Sequence, residues 1–303
     1  MPTVEETQQQ CRLALTDPAF ASIASALERR GPGLEQCVTY VADVTERPET
    51  VQPLAAIKAD LERDGLDLAD AQFERYLLTA AALRSLARLD QVPVTDCVRA
   101  LCCDLYAKLP QRRPRLDLTH HSFAELSKVA TLRRFPAGQF DWEPSGLPRS
   151  WLLKIRPVGA LCQTLHVIAM RMRRFGPAFF VHTGVSGKNY LLLQREAERS
   201  YYRMAHSMAL QPRVIGLITS SWLHSPDTFA ISPHLAWLNR IFRENGAVLA
   251  TMGPADPDCG VLHRSPERKR AYEEGRLKPT LGLVIWPRDE MLAWARTRPD
   301  LEH

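Results

Sequence analysis

The sequence predicts an α+β fold, a helical N-terminal domain followed by a mixed, twisted sheet flanked by helices. Three observations carry this. Apolar residues recur at three-to-four spacing through most of residues 1–110. Beyond residue 125, short runs rich in β-branched and aromatic residues alternate with helical patterns. One segment, Phe179-Phe180-Val181-His182-Thr183-Gly184-Val185-Ser186-Gly187-Lys188-Asn189-Tyr190, joins an apolar run to a small-residue turn and then to a long helical pattern.

In the first part, residues 54–63 and 69–89 read as helices. The second of these places Phe73, Tyr76, Leu77, Ala80, Leu83, Leu86 and Leu89 on one side. Residues 94–109 form another helix, with Thr95 as its N-cap. Prolines at 110 and 114 then break the chain, which sets a helical N-terminal domain at 1–115. The α/β domain spans 120–298. Residues 129–135 and 139–143, around Pro136-Ala137-Gly138, read as a hairpin, and 151–155 as a further strand. Residues 159–175 read as a helix with arginines at its C-terminal end, where the helix dipole favours them. Strands follow at 178–182, 214–222, 247–251 and 280–286. Helices follow at 190–210, at 232–245 with Ser232 as N-cap and Pro233 at the first position, and from Pro287 to Ala295. Leu301-Glu302-His303 reads as the start of an expression-tag remnant.

Composition excludes several function classes. The net charge is +5, from 39 basic and 34 acidic residues, which fits an anionic ligand without demanding nucleic acid. Basic clusters at 112–115, 171–174 and 264–270 are separate and lack the interleaved aromatics of a nucleic-acid motif. The run at 264–276 reads as a solvated helix face. Seven cysteines at irregular spacing, with no C-x-x-C, point to reduced thiols in a cytoplasmic protein. No apolar run reaches the length of a membrane span, and no signal peptide opens the chain, so no membrane partner is expected. The histidines form no metal-ligand spacing, so no metal is expected. Asp256-Pro257-Asp258-Cys259-Gly260 reads as a plain turn.

The segment at 179–190 holds the densest chemistry. A strand, a small-residue turn and a helix start present several backbone N–H groups to an anion. Gly184, Ser186, Gly187, Lys188 and Asn189 are the candidate ligands of a diphosphate, with Lys188 adding a full positive charge. The spacing matches neither a Walker A loop nor G-x-G-x-x-G. The alternative is an ordinary strand-to-helix loop with an exposed lysine.

The order of features resembles that of bacterial acyltransferase-domain proteins, which join a helical N-terminal domain to a GNAT-like C-terminal domain. The matching pieces are Leu132-Arg133-Arg134-Phe135 with Gln139-Phe140-Asp141-Trp142-Glu143, then Phe180-Val181-His182. Ser221-Trp222-Leu223 with Pro226, and Leu238-Asn239-Arg240-Ile241-Phe242, come next. Ser265-Pro266-Glu267-Arg268-Lys269-Arg270, Glu274-Gly275-Arg276-Leu277 and Gly282 close the series. Each piece is short; their common order over roughly 120–290 is the resemblance. It implies a GNAT-like sheet in which the strand before Gly184 leads into an acyl-CoA pyrophosphate loop. The usual Gln/Arg-x-x-Gly-x-Gly/Ala loop pattern is absent, and Ser186-Gly187-Lys188 stands there instead.

The resemblance also implies a chemistry. An amine or hydroxyl of a small-molecule acceptor loses a proton as it attacks a CoA or carrier-protein thioester, so a base and a proton donor are needed. No tightly bound cofactor is expected, and acyl-CoA or an acyl-carrier thioester is the co-substrate. His182, at the end of its strand, is the candidate base, since an imidazole of ordinary pKa near about 6.5 titrates close to neutrality. Glu143 is the candidate carboxylate. Ser221 or His224 is the candidate proton donor or pantetheine contact. A Ser221–His182–Asp256 hydrolase lacks a G-x-S-x-G elbow. The alternative from another class is a non-catalytic or repurposed GNAT-like module that binds a small anionic ligand or a partner protein.

Overall fold

The computed structural model describes residues 2–302 except 31, 46, 113–117, 119–120, 173–174, 184–191, 256–261 and 263–264. The chain divides into two compact units, one at Met1–Pro136 and the other built from Ala137–Thr183 and Gly187–His303.

The first unit is helical: α1 (Val4–Leu15), α2 (Pro18–Arg30), α3 (Leu34–Asp43), α4 (Gln52–Arg63), α5 (Gln72–Leu86), α6 (Asp96–Lys108) and α7 (His121–Ala130). Thr3 and Glu6 form a reciprocal capping box at the start of α1. The central helix is α5, buried on nearly all sides, with α1, α2, α3 and α7 packed around it. Charges buried in this unit are paired: Glu74 on α5 is held by Lys58 at 2.7 Å, and Arg134 by Glu125 at 2.9 Å, pairings that offset their desolvation. Tyr106 on α6 donates its buried hydroxyl proton to the carbonyl of Val129 at 2.6 Å.

Residues 129–135 do not form the expected hairpin strand. Phe123, Leu126, Val129 and Ala130 are buried at helical spacing, and they continue α7. Leu132 then takes a left-handed φ of 58°, and the N–H groups of Arg133 and Arg134 both donate to the carbonyl of Lys128. This is a helix C-terminus, and only Phe135–Pro136 is left as strand β1.

In the second unit the elements run β2 (Phe140–Gly146), α8 (Arg149–Leu152), α9 (Val158–Val167) with a π-helical continuation (Ile168–Met172), and β3 (Pro177–Thr183). They continue as α10 (Gln194–Ala209), β4 (Gly216–Ser221), α11 (Pro226–Ile231), α12 (Trp237–Glu244), β5 (Val248–Pro254), α13 (Pro266–Glu273), β6 (Thr280–Pro287) and α14 (Arg288–Arg296). The mixed sheet has six strands in the order β1-β2-β3-β4-β6-β5. The central β3–β4 pair is parallel, and β2–β3, β4–β6 and β5–β6 are antiparallel.

Alternation sorts the side chains of this sheet onto two faces. One face carries Trp142, Phe179, Leu217 and Trp286 and packs against Tyr201 of α10, Phe242 of α12 and Trp294 of α14 in a chain of aromatic contacts. The other carries Ala178, Phe180, Ile218, Leu283 and Ile285, covered by Trp151 and Leu152 of α8, Leu161 of α9, and Ile168 and Met172 of the π segment. The expected strand at 151–155 is therefore a helical turn. Trp151 and Leu152 are sequence neighbours that both pack on this core, which a strand forbids because neighbours point to opposite faces. The helix expected from residue 232 begins as a 3-10 turn, and Ser232 makes no side-chain cap there. Leu301, read as part of a tag remnant, is buried in this unit.

Candidate active site

The central strands set the site. Ile215 N–H donates to the carbonyl of Pro177 at 2.9 Å, and the parallel register continues through Phe179↔Leu217 and Phe180↔Ile218. Among the described residues it stops there, although β3 runs on to Thr183 and β4 to Ser221. Where the backbone ladder ends, the Thr219 hydroxyl donates to the carbonyl of Val181 at 3.3 Å. His182 lies in this stretch beyond the ladder.

Antiparallel pairing fixes what faces His182 from β2. Asp141 is its direct partner and Glu143 pairs with Phe180, so the period of two puts Asp141, Glu143, Phe180 and His182 on one face. Glu143 Oε1 lies 3.4 Å from His182 Nε2, and both side chains keep about a fifth of their surface exposed. The imidazole stands edge-on to the Phe180 ring at 4.5 Å between centroids, and Phe180 in turn meets Trp151 at 5.5 Å. Asp141 is fully buried. The site thus combines one imidazole, two carboxylates and an aromatic wall that rises into the apolar core. The pair sets an imidazole nitrogen beside a carboxylate oxygen, the arrangement that orients a ring for acid–base chemistry.

His182 and Glu143 are brought together, and Asp141 lies on the same face. The other two expected catalytic residues lie elsewhere. Ser221 sits on the opposite face by alternation, and its hydroxyl accepts the Leu223 N–H at 3.2 Å as a helix cap. His224 is buried on that opposite side, edge-on to Phe242, with Nδ1 3.0 Å from Asn239 Oδ1. Asn239 returns its amide N–H to the His224 carbonyl at 3.1 Å. Burial pushes this imidazole down to about 4, against the opposing pull of the Asn239 hydrogen bond. Its contacts with Asn239 and Phe242 put it on the other side of the sheet from the His182–Glu143 pair. On β4 the hydroxyl that shares the face of His182 is that of Ser220, half-buried. The expected anion ligands Gly184, Ser186, Gly187, Lys188 and Asn189 lie outside the described residues, as do Asp256 and Cys259.

Among the described residues no group of three His, Cys, Asp or Glu side chains is arranged to hold a metal ion. None of their helices is long and apolar enough to cross a membrane.

No protein-family model matches the chain, and no curated protein matches it. Solved structures do resemble it. One is the crystal structure of an acyltransferase in complex with decanoyl-CoA and teicoplanin. It aligns with a TM-score of 0.52 at 14% identity, over 95% of this chain and 90% of that one. An acyltransferase in complex with decanoyl-CoA aligns with a TM-score of 0.50 at 14% identity, over 95% and 89%. At this identity the likeness is one of fold, and it extends over nearly the whole of each chain.

Proposed function

We propose that this protein is an acyltransferase whose GNAT-like second domain moves an acyl group from a CoA or acyl-carrier thioester to an amine or hydroxyl of a small molecule. The observation that carries this reading is the His182–Glu143 pair on the open end of the parallel central strands. The fold shared with acyltransferases that bind acyl-CoA supports it.

In this reading His182 accepts the acceptor's proton as its nitrogen or oxygen attacks the thioester carbonyl. A C–N or C–O bond forms, the C–S bond breaks, and the departing thiolate takes up a proton. Glu143 and Asp141 stabilise the imidazolium during the transfer. Ser220, on the same face, is the hydroxyl available to the leaving sulfur. Phe180 and Trp151 form the apolar wall beside the reacting carbon. Lys188 and the backbone of its turn would hold the pyrophosphate, a role that rests on the sequence alone.

The test is release of free thiol from decanoyl-CoA in the presence of glycopeptide and amino-sugar acceptors. His182→Ala should lower turnover by about 10²–10⁴ while leaving the melting temperature unchanged. Full activity in that variant would refute the role of His182. Failure of the wild type to bind any CoA or carrier thioester would reject acyl transfer. It would then favour a ligand-binding module, which the missing glycine pattern of the 184–189 loop also favours.

A further inference from the structure

Residues 158–170 contain no Asp, Glu, Lys or Arg, yet they form most of α9 and its π continuation. One side of this helix packs on the sheet through Leu161, Ile168 and Met172. On the outer side Val158, Cys162, Leu165 and Ala169 recur at i, i+4, i+7 and i+11 and are all exposed. Val158 is 70% exposed and Met170, beside the stripe, 65%. Leu153, just before the helix, is 77% exposed. A helix that is apolar all round is ordinarily buried, so the bare outer arc calls for a second apolar phase.

Charge identifies that phase. Residues 144–195 include no carboxylate, although 34 acidic residues in 303 would put about six in a stretch of that length. They include Arg149, Lys154, Arg156, Arg171, Arg173, Arg174, Lys188 and Arg195. Lys154 and Arg156 are exposed before the start of α9. Arg149 lies over the exposed Phe175 ring at 5.3 Å, and Arg171 follows the arc, where it also meets Glu290 at 3.2 Å. An apolar arc with cations at each end is the pattern of a helix lying in a membrane interface. The arc offers only Gln163 and His166 as polar groups, too few for the hydrogen-bonded rim of a protein interface.

We propose that this face seats the protein on an anionic phospholipid surface, with α9 lying in the plane of the headgroups. The contact is peripheral, and it differs from the membrane span that the sequence excludes. It does not depend on the acyltransferase reading.

Cys162 lies within the arc and is exposed, so it can report on the contact. In the full chain carrying Cys97→Ser and Cys259→Ser, an environment-sensitive fluorophore on Cys162 should shift to the blue with vesicles of phosphatidylcholine and phosphatidylglycerol. It should shift little with phosphatidylcholine alone. Sedimentation with the mixed vesicles should fall at least about tenfold for unlabelled Leu165→Glu/Met170→Glu, and should weaken with added salt. Both residues are exposed, so these variants should melt like the wild type; Lys154→Glu/Arg156→Glu gives an independent check on the cations. Absence of vesicle binding overturns the proposal. So does binding that neither double variant weakens, or a label that responds instead to protein concentration or to an acidic acyl carrier protein.

Discussion

His224 should make the stability of the second unit depend on pH. Its imidazole is 6% exposed, faces Asn239 and Phe242, and is pushed by burial from an ordinary 6.5 down to about 4. The folded state therefore favours the neutral ring, and the unfolded chain binds the proton more tightly. The stabilisation is fully present above about pH 6.5 and is lost as pH falls from there through about 4. A shift of this size corresponds to about 3 kcal/mol in full, of which about 2 kcal/mol is gone by about pH 5. All six tryptophans lie in the second unit, so their fluorescence reports its unfolding in urea. Between about pH 7.5 and pH 5, the wild type should lose about 2 kcal/mol more than His224→Gln, which keeps a hydrogen-bonding side chain but does not titrate. Comparing each protein with itself removes the general cost of the substitution and the titration of other groups. Equal losses in the two proteins would refute the buried neutral histidine.

Further expectations follow from the same geometry. Glu143→Gln should lower kcat by about tenfold or more with little change in KM, because the lost charge acts on an imidazolium formed during the reaction; an unchanged kcat contradicts this. Combining Glu143→Gln with Asp141→Asn should give non-additive losses in kcat, since both carboxylates serve one ring, and strict additivity would mean that Asp141 acts elsewhere. A Cβ on Gly282 would lie 2.5 Å from the carbonyl carbon of His224, so Gly282→Ala should destabilise the protein by about 1–3 kcal/mol in urea melts. Lys188→Glu should weaken CoA binding by about tenfold to thirtyfold in calorimetric titration, from a lost charge-assisted hydrogen bond plus repulsion; unaffected binding would put the pyrophosphate elsewhere.

The long-period features were legible in the sequence. Helices α4, α5 and α6 stand where three-to-four spacing put them, and Thr95 is the N-cap residue of α6. Strands β3, β4 and β6 follow their β-branched runs. His182 was legible as a group near the end of its strand, Glu143 stands at the middle of a longer β2 than expected, and their contact needs only the antiparallel pairing of β2 with β3. What stayed hidden depended on partners remote in sequence. The partner of His224, Asn239, is fifteen residues away and on another helix. The short apolar run around Trp151 carries no period long enough to separate strand from helix, and packing against the sheet decided it.

The choice between Ser220 and Ser221 turns on a single residue of register. In a strand, a shift of one position moves a hydroxyl to the opposite face. Phe180↔Ile218 pairing carries forward by twos to His182 and Ser220, and the same count puts Ser221 with Thr219 on the aromatic side. Asp141 follows from the same count made on β2: once Glu143 is assigned to the face of His182, the residue two before it must share that face. Its identity as a buried acid within a strand then becomes informative, because an apolar residue would fill that place at far lower cost in desolvation. Alternation therefore does more than describe this site: it puts two carboxylates on the face of the histidine, and on β4 it puts Ser220 there rather than its neighbour Ser221.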